Sequence, residues 1–301
     1  MDVRAGHTPV LREEVLRLLS PGGRSVLVDC TIGLGGHSEA LLDAAGPQAT
    51  LLGIDADETN LARAKKNLER FGRRARFFHA NFSQLSEVFA EAGVRAADAI
   101  LADLGVASTQ LDDAGRGFSF AAEAPLDMRM DARAEQTAAD LVNTLGEKEL
   151  ADLIYTCGEE RYSRRIARAV VEARKTRAIA TTTQLAEIVA RAYPAPARRA
   201  RRGVHPATRT FQALRIAVND ELGSLEALLA MLPQVLAPAG RAAIISFHSL
   251  EDRRVKQAFA AWAEAGTGRL LNRKPITPSA EEMQRNPRSR SAKLRGTERM
   301  P

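Results

Sequence analysis

The chain has 301 residues, 45% of them hydrophobic and 27% charged, which is enough apolar material for a full core and excludes a mainly disordered protein. At about twice the usual domain length, it is one large domain or a core carrying an insertion. The formal net charge of +6 is unevenly placed: residues 269–301 carry +6, residues 191–219 carry +7 with no acid, and the rest sums to −7. A mildly acidic body with two concentrated basic segments predicts a polyanionic partner met at defined places.

Cys30 and Cys157 are the only cysteines, too few for a disulfide framework, and no Cys/His cluster predicts a metal. The N-terminus has no apolar stretch of signal-peptide length. The longest apolar runs, such as Ala242–Phe247, are far too short to span a bilayer. The expectation is a soluble protein of a reducing compartment, the cytoplasm, with no membrane partner.

The first hundred residues alternate strand and helix signals. Val26–Asp29 reads as a short buried strand, followed by a glycine-rich turn and a helix from about Ser38 to Gly46. Thr50–Asp55 reads as a second strand, followed by a helix over Glu58–Phe71 with Asp57 as N-cap and Gly72 as its stop. Arg76–His79 is a third strand, with a helix opened by Ser83 and closed near Gly93, and Ala99–Asp103 is a fourth. Strands joined by helices of this length predict a parallel sheet with right-handed crossovers, an α/β fold.

After Leu104 the rhythm breaks into polar, Arg-rich helical patterns at 134–145, 147–155, 159–175 and 183–192. Arg161, Arg164, Arg165 and Arg168 fall on one helical face. A single long helix is expected from Arg209 to Leu236, then a Pro238–Gly240 turn and a fifth strand over Arg241–Phe247. Residues 107–210 thus read as a helical insertion in a sheet domain made of 1–106 and 211–301. The end, from about Gly266, reads as loops, with edge strands near Leu270 and at Lys293–Gly296.

The segment from Asp29 to Ser38 puts Gly33, Gly35 and Gly36 at the carboxyl end of the first strand, where open α/β sheets bind ligands. Asp55 ends the second strand, placed to accept from both hydroxyls of a ribose. Together they indicate a nucleoside-containing cofactor. Ser38 stands where a dinucleotide fingerprint has Gly or Ala, which weakens a nicotinamide cofactor. Asp29 suits a cofactor with an ammonium and a sulfonium, as S-adenosylmethionine has, better than a pyrophosphate.

Phe82 is placed equally well to lie on an adenine or to pack against the next helix. Asp103, closing the fourth strand, is within reach of cofactor and substrate, with helix capping as its competing role. His205–Gln212 and Ser246–Ser249 mix hydroxyls, His and an aromatic, as a site for an RNA base and its phosphates requires. For His248 a structural hydrogen bond is the competing role, and for Met128 and Met130 it is core packing. Cys30 reads as a packed residue rather than a nucleophile.

Longer motifs run through the chain in order: Gly6–Leu11, Asp29–Ser38, Ala102–Ser108 with Gln110–Asp112, and Arg116–Phe120. They continue with Pro125–Asp131, Gly158–Arg161, His205–Gln212, Ile245–Arg253 and Asn286–Ser291. On these motifs the chain resembles the bacterial ribosomal RNA small subunit methyltransferase H (MraW) family over nearly its whole length. The resemblance implies a class I S-adenosylmethionine-dependent methyltransferase, a Rossmann-like, mostly parallel sheet with a helical substrate-recognition domain inserted after the fourth strand. It implies methylation of the exocyclic N4 of one cytidine in the decoding region of 16S rRNA, with the small ribosomal subunit as partner. The family's cofactor contacts fall on Gly35, Gly36, His37, Asp55, Phe82, Asp103 and Gln110. Cys30 and Ala107 depart from the family's usual Gly and frequent Ser.

Methyl transfer from a sulfonium needs in-line attack, so positioning carries most of the catalysis. Cytosine N4 is a poor nucleophile until an acceptor takes one of its protons. Asp103, or the turn it opens, is the expected catalytic acceptor, equivalent in position only to the Asp/Ser-Pro-Pro-Tyr turn of other amino-methyltransferases. Arg198, Arg199, Arg201, Arg202 and Arg209, with His248 and the basic tail, are expected to hold rRNA. The competing readings are a nicotinamide dehydrogenase and a non-catalytic small-subunit assembly factor that keeps the cofactor pocket. Monomer and homodimer are both open.

Overall fold

The computed structural model describes residues 9–194 and 205–301. The chain divides into two compact units, Met1–Gly105 with Leu222–Pro301, and Val106–Glu221.

The first unit runs α1 (Arg12–Leu19), β1 (Val26–Asp29), α2 (Gly36–Ala45), β2 (Thr50–Asp55), α3 (Glu58–Asn67), β3 (Ala75–His79), α4 (Leu85–Ala92) and β4 (Ala97–Asp103). In the second unit follow α5 (Ser108–Asp112), α6 (Ala138–Thr144), α7 (Glu147–Gly158), α8 (Ser163–Thr176), α9 (Thr182–Ala192) and α10 (Thr208–Val218). Back in the first come α11 (Glu221–Val235), β5 (Leu236–Ser246), α12 (Ser249–Glu264), β6 (Gly268–Leu270), α13 (Ala280–Arg285) and β7 (Lys293–Arg299).

Among the described residues the sheet has seven strands in the order β3-β2-β1-β4-β5-β7-β6. β1 to β5 pair in parallel, while β7 runs antiparallel to both β5 and β6. Successive side chains of a strand leave opposite faces, and helices cover both, so each strand must be apolar throughout. Val28, Leu52, Ile54, Ile100, Ala102 and Ile244 pack on one face against Leu85 and Val88 of α4 and Leu225, Leu228 and Leu232 of α11. Leu27, Leu51, Ala99, Leu101 and Ile245 pack on the other against Val15 and Leu19 of α1, Leu41 and Leu42 of α2 and Leu68.

The second unit is a helical bundle with its own core, in which Leu141, Leu150, Ile154, Ile166, Val170, Leu185, Val189, Phe211 and Leu214 meet. Gly158 ends α7 where a Cβ would lie 2.6 Å from the Arg209 carbonyl, so only glycine allows α7 and α10 this close. The loop from Arg116 to Asp131 is folded, not extended. Arg116 donates to the Arg129 and Met130 carbonyls, and Asn219 accepts from the Met130 N–H while donating to the Met128 carbonyl. Met128 is buried and Met130 packs beside the core, so both have the packing role.

The single helix expected over 209–236 is two, α10 and α11, because Asp220 adopts a left-handed backbone with φ 44° and Asn219 turns its side chain onto the Met128–Met130 loop. α10 therefore belongs to the helical unit, although the sequence reading returned to the sheet domain at 211. The helix after β2 stops at Asn67, and a 3-10 segment carries the chain through Gly72 at φ 55°. The turn before α4 is capped by Asn81, which accepts from the Ser83 N–H, rather than by Ser83. β7 lies inside the sheet instead of at an edge. α1, α12 and α13 were not anticipated.

Leu228 is fully buried against the sheet. Leu228→Ala is expected to cost about 2–5 kcal/mol, read as a lowered urea midpoint; an unchanged midpoint would show that α11 does not hold the sheet.

Candidate active site

The carboxyl ends of β1, β2 and β4 converge on the turn between β1 and α2. Asp55, at the end of β2, accepts the Gly33 N–H at 2.9 Å through Oδ2 and the Asp57 N–H at 2.8 Å through Oδ1. This ties the glycine turn to the neighbouring strand. Burial pushes the Asp55 carboxyl up to about 6, against the pull of those two N–H groups. A carboxylate oxygen carries more than one lone pair, so both can still accept from a ligand's hydroxyls.

Gly35 adopts φ +86°, and a Cβ there would lie 3.0 Å from Leu68. At Gly36 a Cβ would lie 2.6 Å from Pro9. The turn thus packs tightly against Leu68 and Pro9, which only glycine allows, and holds its backbone N–H groups at the start of α2, where they suit a polar ligand.

Asp29 is fully buried with both oxygens engaged: Ser38 Oγ donates to Oδ2 at 2.6 Å and the Thr31 N–H to Oδ1 at 3.2 Å. Burial raises its carboxyl above the ordinary 3.8, against the lowering effect of the Ser38 bond. Ser38, which sequence reasoning treated only as a missing glycine, is therefore the partner that satisfies Asp29. Nothing in the spacing marks that pairing, because α2 has to form before the two meet. Thr31 adds a second link, its hydroxyl accepting the Asp103 N–H at 2.7 Å.

His37 and Asp103 face each other, with Nε2 3.5 Å from Oδ2. His37 Nε2 and Asp103 Oδ1 are buried without a hydrogen-bond partner. Two orphaned polar atoms at the ligand edge of a parallel sheet are what a bound polar molecule would satisfy. Phe82 begins the 3-10 turn after β3, half-buried against the core. Phe247, after β5, packs on Gly105, which adopts φ +104°.

His248 caps α12, its Nδ1 accepting from the Glu251 N–H at 3.4 Å, while its buried Nε2, 3.2 Å from Glu251 Oε1, has no hydrogen-bond partner. Gln110 lies in the helical unit, buried, accepting the Ala107 N–H at 3.0 Å. Arg209, also in that unit, donates to the Glu159 carbonyl at 2.7 Å. Arg198, Arg199, Arg201 and Arg202 lie outside the described residues. Cys30 is packed in the core, where burial pushes its thiol up and keeps it inert. No helix among the described residues is long and apolar enough to cross a membrane.

A seven-stranded sheet in which β7 alone is reversed, with a glycine turn after β1 and an acid after β2, is the fold of the class I S-adenosylmethionine-dependent methyltransferases. Within that class the chain belongs to the MraW methylase family, whose model matches residues 4–300. It is 50% identical over 308 residues to the ribosomal RNA small subunit methyltransferase H of Syntrophobacter fumaroxidans, covering 97% of this chain and 96% of that one. The protein of the same name from Sorangium cellulosum is 51% identical over 294 residues, covering 98% and 91%.

The cofactor S-adenosylmethionine fits this site: a bare glycine turn, an acid in ribose position and two unpartnered polar atoms are present together.

Ser38→Ala is expected to leave Asp29 Oδ2 without a donor and to cost about 1–3 kcal/mol. The Ser38 hydroxyl favours the ionised carboxylate, so removing it raises the folded pKa further, and the loss grows as pH rises through the folded pKa. A series of denaturant melts from about pH 4 to about pH 9 checks this; a loss that shrinks as pH rises would rule out the Asp29 account.

Proposed function

We propose that this protein methylates the exocyclic N4 of one cytidine in the decoding region of 16S rRNA, within the small ribosomal subunit and in the cytoplasm. What carries this reading is identity of about half the residues, over nearly full length, to proteins named ribosomal RNA small subunit methyltransferase H. The unpartnered Asp103 Oδ1 supports it as the acceptor the chemistry needs.

Gly35, Gly36 and His37 would hold the amino-acid end of the cofactor, Asp55 would accept from its ribose, and Phe82 would complete the pocket. S-adenosylmethionine, when bound, would supply a methyl group on a sulfonium, whose loss to N4 would leave a neutral thioether. Asp103 takes the N4 proton through Oδ1, which localises the nitrogen lone pair for attack and yields neutral methylamino cytosine. His37, facing Oδ2, keeps the carboxylate turned toward the substrate. Phe247 stands beside this turn as an apolar wall for a base that has left its stack. The Val106–Glu221 unit recognises the RNA. Arg198, Arg199, Arg201, Arg202 and Arg209 hold phosphates together with the basic tail, and His248 acts there only through the helix it caps.

The test is transfer of labelled methyl from S-adenosylmethionine to small subunits lacking the modification, followed by nucleoside mass spectrometry. N4-methylcytidine at one site is expected. Label on another base would overturn the substrate, and no label with cofactor still bound would leave a non-catalytic assembly factor. Asp103→Asn is expected to lower turnover at saturating cofactor by about 100-fold or more; full turnover would leave Asp103 a binding residue only.

Asp55 must be ionised to accept from both ribose hydroxyls, so affinity for S-adenosylhomocysteine is expected to fall as pH drops through about 6. Calorimetric titration from pH 5 to 8 checks this. An Asp55→Asn protein should bind more weakly and show a flat profile over that range.

A further inference from the structure

The arginine face of α8 is not used by any part of the chemistry above. Between α8 and α9 lies an open groove of about 900 Å³. Its floor is small and apolar, made by Ala169, Ala173, Ile188 and Ala192. Its rim carries Arg164, Arg165 and Arg168 from one helix and Arg191 from the other, against one acid, Glu172. All four arginines are exposed.

Arg164 and Arg165 have no hydrogen bond or ion pair to a carboxylate among the described residues. Arg168 lies 3.4 Å from Glu147 and Arg191 2.8 Å from Glu187, both with side chains 78% exposed. Solvated pairs of this kind contribute little, so a stronger anion displaces them readily. Glu172 is itself held by Lys175 at 2.7 Å. The rim is therefore a concentrated positive field over a concave surface, not a lattice of mutually satisfied charges.

Charge complementarity calls for a polyanion, and two features choose its chemistry. The cations are all guanidinium forks, which grip phosphate oxygens in pairs. The floor is built mainly of small alanine side chains, not the large apolar pocket walls that seat the anchors of a docking peptide helix, and it offers apolar surface to riboses. From Arg164 to Thr176 the track is about 18 Å long, enough for a short run of nucleotides.

We propose that the α8–α9 groove holds a segment of the RNA substrate by its sugar–phosphate backbone, a docking surface carried by the helical unit itself. The proposal rests on rRNA being the substrate.

The test uses the full-length protein and an unmodified 16S rRNA transcript, with binding measured over a series of KCl concentrations. The double variant R164Q/R165Q is expected to bind at least about fivefold more weakly, with a log–log salt slope shallower by about 1.4 to 1.8. Its affinity for S-adenosylhomocysteine should be unchanged, which shows that the protein is folded. Glu172→Gln is expected to move RNA affinity the other way, and a purely structural helix face would not produce that opposition. Unchanged RNA affinity and salt slope in both variants, in an enzyme that methylates the subunit, would overturn the groove and leave the activity standing. A wild-type protein that transfers no methyl to the subunit would instead sink the activity itself. A photo-crosslinking residue at Thr176, on the groove, should join to rRNA in the subunit; joining only to a ribosomal protein would replace RNA by a protein partner and also overturn the proposal.

Discussion

Two N–H groups, from Gly33 and Asp57, converge on the carboxylate of Asp55, and the rest of the site depends on that bridge. It fixes the turn after β1 against the end of β2, and with the turn the start of α2. From there Ser38 reaches back to Asp29, while His37 meets Asp103 at the end of β4. Three parallel strands thus deliver three carboxylates to one edge, each in a different state. Asp29 is sealed by hydrogen bonds, Asp55 is buried but half available, and Asp103 keeps one oxygen unpartnered. Neighbouring carboxylates repel and resist burial, so their separate environments let acids of the same type serve as strut, ribose acceptor and proton acceptor.

The helical unit applies a different economy. Its Pro125–Asp131 loop spends its polar groups on its own fold: Asp127 pairs with Arg129, Arg116 donates to carbonyls, and Asn219, at the end of α10, bonds to the main chain. Its surface arginines are the reverse, long cations on α8 and α9 with weak or no partners. Polar groups that are satisfied internally give shape, and those left in solvent give affinity for a charged partner.

The strands β1 to β4 were legible within two residues because a strand covered on both faces must be a continuous apolar run. Asp29, Asp55 and Asp103 were legible as strand-end acids for the same reason. Where the reading failed, the deciding contact was distant in sequence. The break at Asn219 follows from bonds to residues 89 and 91 positions away. α13, read as loop, places Glu282 to accept the Leu11 N–H, 271 positions away. β7 was placed at an edge because antiparallel insertion between β5 and β6 leaves no mark on its own seven residues.

Local chemistry is written in the chain: the glycine turn, the acids that end strands, the order of parallel crossovers and the family motifs all depend on residue type at short spacing. The tertiary structure alone decided which polar groups are spent and which are free. Ser38 was a deviation until it met Asp29, and the α8 arginines a solvated face until α9 made them the rim of a groove. Hydrogen-bond satisfaction is a property of neighbours in space, and the sequence does not state those neighbours.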